Sequence, residues 1–318
     1  MLHLLRRGAP HPETVVLTPD WRPPADAVWL DLDCPSRDEE VQVEQALGLD
    51  LPSLDEMAQL EPSSRLYQEN GSTFMTATLL ARSDGEHPSG TPATFVLHDG
   101  LLITMRYAPL KAFSIFAQSG VQAQAPTCGA EAFMGLMDAV VERLAEVLER
   151  CSQRVQESSN AIFDRPRGAA FEPLLTSLAR TQSINAQGQA SLISLGRLAS
   201  FATLAHEVSE APARVAHLAS VQHDLQSLTE HSGHLATHIS FLLDAALGLI
   251  NIEQNSIMKV FSLATVILMP PTLVGAIYGM NFAHMPELSW KLGYPFALAL
   301  MLVSGLGPVW WFRRRGWL

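Results

Sequence analysis

The sequence predicts an α+β membrane protein. An N-terminal cytoplasmic α/β domain spans residues 1–125, and a helical bundle with a long stalk helix spans 126–257. Two C-terminal transmembrane helices, with a short external loop and a basic tail, occupy 258–318. Three observations carry this. Residues 260–277 and 294–312 are uncharged apolar spans of 18 and 19 residues, about what a helix needs to cross ~30 Å of hydrocarbon. Between Pro212 and Pro270 there is no proline, and two apolar seven-residue series run through this stretch. Near the N-terminus, Asn70-Gly71 and Asp99-Gly100 each separate two β-type runs, the strongest short-range hairpin signal.

The elements follow in order. Residues 14–18 and 27–31 are short β-branched or apolar runs flanked by Pro and Asp. Ser36 followed by Asp38, Glu39 and Glu40 reads as a helix N-cap with acids in the first turn. Residues 65–81 split at Asn70-Gly71, and 93–98 pairs with 101–106 across Asp99-Gly100. From Ala130, apolar residues such as Phe133, Met137, Val140, Leu144 and Val147 recur every three or four positions, the mark of an amphipathic helix. Residues 164–168 (Asp-Arg-Pro-Arg-Gly) break it, and a second helix covers about 172–202. A third starts at Pro212. In it Leu218, Leu225, Ile239 and Ala246 form one series, with Ser232 in the fourth slot; Val221, Leu228, Leu235, Leu242 and Leu249 form the other. Such offset series make a coiled-coil seam. One helix from about residue 213 to 277 has 65 residues and a length of ~100 Å. Its seam needs copies of itself or the preceding helices as partners, and is the feature of the residues that best points to an oligomer.

Charge is unevenly placed. Residues 1–257 hold 16 Lys+Arg and 31 Asp+Glu, a net of −15, and residues 258–318 hold 5 Lys+Arg and 1 Glu, a net of +4. The acidic part excludes nucleic acid as a partner, because phosphate neutralisation needs clustered Lys and Arg. Cys34, Cys128 and Cys151 have neither metal nor disulfide spacing and suit a reducing compartment. Met1 to Arg7 lacks the apolar run and cleavage site of a signal peptide. Lys259, Arg313, Arg314 and Arg315 flank the spans, whereas the short connection has only Lys291. The positive-inside rule then puts both termini in the cytoplasm. No Walker lysine motif, glycine-rich strand–helix turn or Gly-x-Ser-x-Gly occurs, so neither an enzyme nor a pump is expected, and no organic cofactor.

The first span has a distinct line of residues. Asn255, Met258, Ser262, Thr265, Met269, Thr272 and Ala276 recur every three or four positions. Small and polar groups on one face serve either close helix packing or a pore lining, and the pattern alone leaves the two level. The connection begins Tyr278-Gly279-Met280-Asn281-Phe282-Ala283-His284-Met285-Pro286-Glu287-Leu288. Taken alone, Asn281 is a turn residue.

Gly279-Met280-Asn281 between two terminal spans, with Met285-Pro286-Glu287-Leu288, Met269-Pro270-Pro271-Thr272 and Gly293-Tyr294-Pro295 around it, resembles the signature of the CorA family of magnesium channels. The resemblance covers about 255–318. It implies a homopentamer in a bacterial inner membrane, with Mg²⁺ as both cargo and regulatory ion. Asn255, Met258, Phe261, Met269, Thr272 and Ala276 match the family's pore-facing positions. Gly279, Met280 and Asn281 match its selectivity mouth, flanked by Tyr278 and Glu287. The line has no carboxylate, which suits an ion that dehydrates reluctantly and keeps its waters. Gly279 is expected to let the backbone turn so that carbonyls face the axis. Many relatives have an acid directly after Asn-Phe, where this chain has Ala283 and then His284, so its mouth is less negative.

Lys259, Arg313, Arg314 and Arg315 are expected to form a basic collar as well as a topology anchor. Asp224 is a candidate regulatory metal ligand on the stalk, with a solvated acid as the plainer reading. His231, His234 and His238 share a helix face, which keeps a Zn²⁺ transporter of the same superfamily as an alternative. A membrane-anchored sensor or scaffold that does not conduct is the alternative from another class. Sequence leaves the preference among Mg²⁺, Co²⁺, Ni²⁺ and Zn²⁺ open.

Overall fold

The computed structural model describes all residues except 19, 60–64, 86–87, 120–124, 165–169, 282–284 and 317–318, and the side chain of Leu288. The chain divides into two compact units, Met1–Leu243 and Asp244–Leu318.

The first unit is built on a seven-stranded sheet. Its strands are β1 (Leu2–Arg6), β2 (Glu13–Val15), β3 (Ala27–Asp33), β4 (Leu66–Glu69), β5 (Ser72–Ala81), β6 (Ser89–His98) and β7 (Leu101–Arg106). Their order is β2-β1-β3-β7-β6-β5-β4. All pairs are antiparallel except β3–β7, in which Trp29 faces Leu102. Both predicted hairpins form. Asn70 and Gly71 have φ of 49° and 79°, and Asp99 and Gly100 have 46° and 77°. Two successive left-handed residues make the turn whose twist matches that of paired strands. The sequence reading did not include β1. It lies buried between β2 and β3, and its Leu2, Leu4 and Leu5 are core residues.

Helices α1 (Arg37–Leu47) and α2 (Leu54–Ala58) both open with capping boxes, Ser36 with Glu39 and Ser53 with Glu56. Leu2, Leu30, Val43, Met57, Phe74 and Ile103 form one core there. Trp29, Phe95 and Phe133 are buried with Phe113 of α3 (Lys111–Ser119), a helix the sequence reading also lacked.

Helices α4 (Gly129–Phe163), α5 (Glu172–Ala202) and α6 (His206–Ser209) precede α7 (Pro212–Tyr278). Asp164 caps α4, and the rest of the predicted breaker lies outside the described residues. Within the first unit, the seam of α7 is covered by its own chain. Leu218, Val221, Leu225, Ser232, Leu235, Ile239 and Leu242 are buried, and Leu228 is half-buried. On α5, buried Asn185 donates to the Ser232 carbonyl and accepts from the Ser232 hydroxyl, both at 3.0 Å. From α4, Asp138 reaches His217 at 2.9 Å. Of the two kinds of partner the seam could take, the preceding helices supply the contacts, so the seam alone does not require a second chain.

Candidate functional site

The second unit holds the end of α7, a 3₁₀ turn at Pro286–Ser289 and α8 (Gly293–Arg314). Both α7 and α8 are long and apolar enough to cross a membrane. Pro270 and Pro271 lie inside α7 without ending it. Proline removes the bond to the carbonyl four residues back, so the Val266 and Ile267 carbonyls lose their usual partners. In a membrane such groups need help from a neighbouring helix.

α8 supplies close packing there. A Cβ on Gly305 would come within 3.2 Å of the Pro271 ring and 3.6 Å of the Ile267 carbonyl oxygen, and one on Gly275 within 3.4 Å of Met301. These contacts fix an antiparallel register. The less exposed positions agree: Leu263, Ile267, Pro271, Val274 and Tyr278 on α7, and Gly293, Ala297, Met301, Gly305 and Phe312 on α8. Small residues thus let the helices approach, as membrane packing requires.

The predicted line lies elsewhere. Asn255, Met258, Ser262, Thr265, Met269, Thr272 and Ala276 are all exposed on the single chain. At about 100° per residue, this line falls on the side of α7 opposite the α8 contact. Phe261, Thr265, Met269, Thr272 and Ala276 line one open groove, with Ala264, Leu268 and Leu273. Phe261 sits beside the line rather than on it. The Thr265 and Thr272 hydroxyls donate to the carbonyls of Phe261 and Leu268, at 2.9 and 2.6 Å.

At the C-terminal end of α7, the Gly279 N–H donates to the Gly275 carbonyl at 3.0 Å and that of Met280 to the Ile277 carbonyl at 3.3 Å. These bonds close the helix and leave Met280 and Asn281 exposed. The φ of Gly279 is not left-handed. A Cβ there would lie 3.1 Å from the Gly275 carbonyl oxygen, so closeness to that carbonyl is the physical constraint. Tyr278 is half-buried and Glu287 is exposed in the 3₁₀ turn. Gly293 anchors this turn: its N–H donates to the Trp290 carbonyl at 2.9 Å, and a Cβ would overlap the Glu287 carbonyl oxygen. Ala283 and His284 lie outside the described residues.

The antiparallel register brings Lys259 to the same end as Arg313, Arg314 and Arg315, and all four are exposed. Arg314 and Arg315 stack over Trp310 and Trp311 at 5.4 and 5.3 Å. Cationic side chains on interfacial tryptophans are a usual membrane-boundary arrangement. On the stalk, Asp224, His231 and His234 are exposed and His238 is half-buried. Among the described residues, no three His, Cys, Asp or Glu side chains converge on a metal position. The single chain therefore does not gather the histidines into a zinc site.

An α/β unit followed by a two-span helical hairpin with an exposed Gly-Met-Asn end defines a class of membrane protein. The chain belongs to the CorA-like Mg²⁺ transporter protein family, whose profile matches residues 24–314. It is 33% identical to the magnesium transport protein CorA of Pasteurella multocida over 293 residues, 92% of each chain. It is 31% identical to that of Escherichia coli K12 over 298 residues, 93% of this chain and 94% of the other. In fold it is similar to the complete CorA magnesium transporter of Methanocaldococcus jannaschii, with a TM-score of 0.75 at 17% identity over 100% of this chain and 99% of that one. The full-length CmaX protein gives 0.72 at 16% identity, over 98% of this chain and 96% of that one.

Proposed function

We propose that this chain is a passive, gated Mg²⁺ influx channel, with Co²⁺ and Ni²⁺ as further candidate substrates. It assembles as a homo-oligomer, a pentamer by resemblance, in a bacterial inner membrane with both termini cytoplasmic. One α7 per chain lines the pore, and α8 packs outside it. Asn255, Met258, Phe261, Ser262, Thr265, Met269, Thr272 and Ala276 face the axis. Gly279, Met280 and a ring of Asn281 amides form the mouth, where they hydrogen-bond the waters of a hydrated ion. Lys259 and the three terminal arginines ring the cytoplasmic end. The membrane potential is worth ~2.3 kcal/mol per charge per 100 mV, enough to draw a dication inward without a pump.

The observation that supports this reading is the uncharged small-to-polar line, exposed on the side of α7 turned away from α8. Copies of the chain around an axis can share that face while each keeps its own hairpin. The test is ion flux into liposomes containing purified protein. Wild type is expected to admit Mg²⁺, and Asn281→Ala to lose flux while keeping the native oligomer mass. Normal flux in the variant overturns the mouth assignment. Zn²⁺ flux exceeding Mg²⁺ flux favours the zinc-transporting alternative.

A further inference from the structure

One cluster of the cytoplasmic unit is foreign to its acidic character. Asp84 accepts from three cations: Arg143 at 2.7 Å, Arg150 at 2.6 Å and Lys111 at 3.3 Å. Arg143 also pairs with Glu146 at 2.7 Å. Two adjoining cavities of about 340 and 300 Å³ share Ser83, Asp84 and Val147 as lining. Arg82, Lys111 and Arg143 line the first; Arg150 and Arg154 line the second. Among the described residues, Arg82 and Arg154 make no ion pair, so five cations face two acids.

The donors are also under-used. Arg143 is only 8% exposed, yet its Nε is buried with no acceptor, as is Nη2 of Arg150. A buried guanidinium edge without an acceptor is costly, and native proteins rarely leave one. The backbone at the cluster is unusual as well: Arg82 holds a left-handed φ of 55°, an uncommon conformation for a residue with a long side chain. Residues 82–85 are tied down by the Gly85 N–H donating to the Arg82 carbonyl at 2.9 Å and by Arg180 donating to the Gly85 carbonyl at 2.8 Å.

We propose that this cleft between residues 82–85 and helices α3 and α4 binds a phosphate-bearing anion, with Asp84 as a tethered occupant that the ligand displaces. Forked guanidinium donors match the several oxygens of a phosphoryl group better than they match one carboxylate. Displacing Asp84 frees donor positions on Arg143, Arg150 and Lys111, and the idle edges of Arg143 and Arg150 add two more. Inorganic phosphate and the terminal phosphate of a nucleotide share this chemistry. The site is independent of the ion path and does not rest on the transport reading.

The test is calorimetric titration of the full-length protein in detergent, with inorganic phosphate and with ADP, at constant chloride. Saturable binding of either, one per chain, is expected. Arg150→Gln and Arg154→Gln alter exposed or unpaired side chains, and each should weaken it about tenfold, the scale of one charge-assisted hydrogen bond. Asp84→Asn should tighten it, which a merely structural salt bridge would not do. ADP binding without phosphate binding assigns the ligand to nucleotides and supports the site. No binding of either anion by wild type and Asp84→Asn overturns the proposal, as does binding unchanged in the Arg150→Gln, Arg154→Gln double variant. Binding that Asp84→Asn fails to strengthen overturns the displacement.

Discussion

Asp84 illustrates how a half-exposed acid can matter beyond its own burial. Partial burial raises the pKa of its carboxyl, but hydrogen bonds from Arg143, Arg150 and Lys111 outweigh this and hold it well below the usual carboxylate range. A pKa lowered on folding gives stability that is present above the unfolded value of about 3.8 and is lost as pH falls through the folded value. Asp84→Asn should therefore lower the Tm at pH 7, and the difference from wild type should shrink below about pH 4. A difference that stays constant from pH 7 to pH 3 would refute the pairing. At the membrane end, Gly293 has no room for a Cβ beside the Glu287 carbonyl. Gly293→Ala should displace the Pro286–Ser289 turn and cost about 1–3 kcal/mol, the range for overpacking. Trp290 fluorescence and thermal unfolding would record it; an unchanged Tm would show that the turn yields freely.

At the scale of elements, α7 is the informative case. Its periodicity was plain in the sequence, and so were its start at Pro212 and its passage into the membrane. Its partners were not, because a seven-residue repeat specifies an apolar seam without saying whose surface covers it. Ser232 marks the difference. It occupies an apolar slot, and the reason is Asn185, some 47 positions away on α5. A buried polar pair of this kind fixes helix register. Ser232→Ala and Asn185→Ala combined in a double-mutant cycle should show coupling of about 1 kcal/mol in thermal or denaturant unfolding. Additive effects would mean the pair does not hold register. The sheet divides in the same way. Both hairpins were legible because Asn-Gly and Asp-Gly carry their own conformational preference. β1 was not, since Leu2–Arg6 is too short and unpunctuated to declare a strand without β2 and β3 beside it. In the membrane unit the spans and the line on α7 were legible from composition and spacing. The contact between Gly305 and Pro271 was not, because nothing in either span names its facing residue.

For the whole molecule, the division of charge bears on the proposed regulation. Residues 1–257 carry a net −15, so copies gathered around one axis would repel. Divalent cations between subunits would relieve that repulsion and hold the channel shut. Loss of internal Mg²⁺ would empty such sites and free α7 to move at Met258, Phe261 and Met269, a negative-feedback switch by linkage. Asp224, exposed on the stalk, is the candidate ligand. Raising Mg²⁺ from micromolar to millimolar levels, a range of weak carboxylate sites, should protect the Met1–Leu243 unit from protease and reduce current. If neither responds, the switch is wrong, and if Asp224→Ala leaves both responses intact, its carboxylate is not the sensor.

The two threonines on α7 have a consequence of their own. Each has given its hydroxyl hydrogen to the carbonyl one turn back, so what it turns outward is lone pairs. Water around a cation points its oxygens inward and its hydrogens outward; water around an anion points a hydrogen inward. In the proposed pore, a wall of acceptors would therefore suit the shell of a solvated cation, whose waters turn both hydrogens outward, better than the shell of chloride, whose waters turn one hydrogen to the ion. Sign selectivity can then come from the orientation of a few O–H bonds, with no charge on the wall to grip the ion and slow its exit.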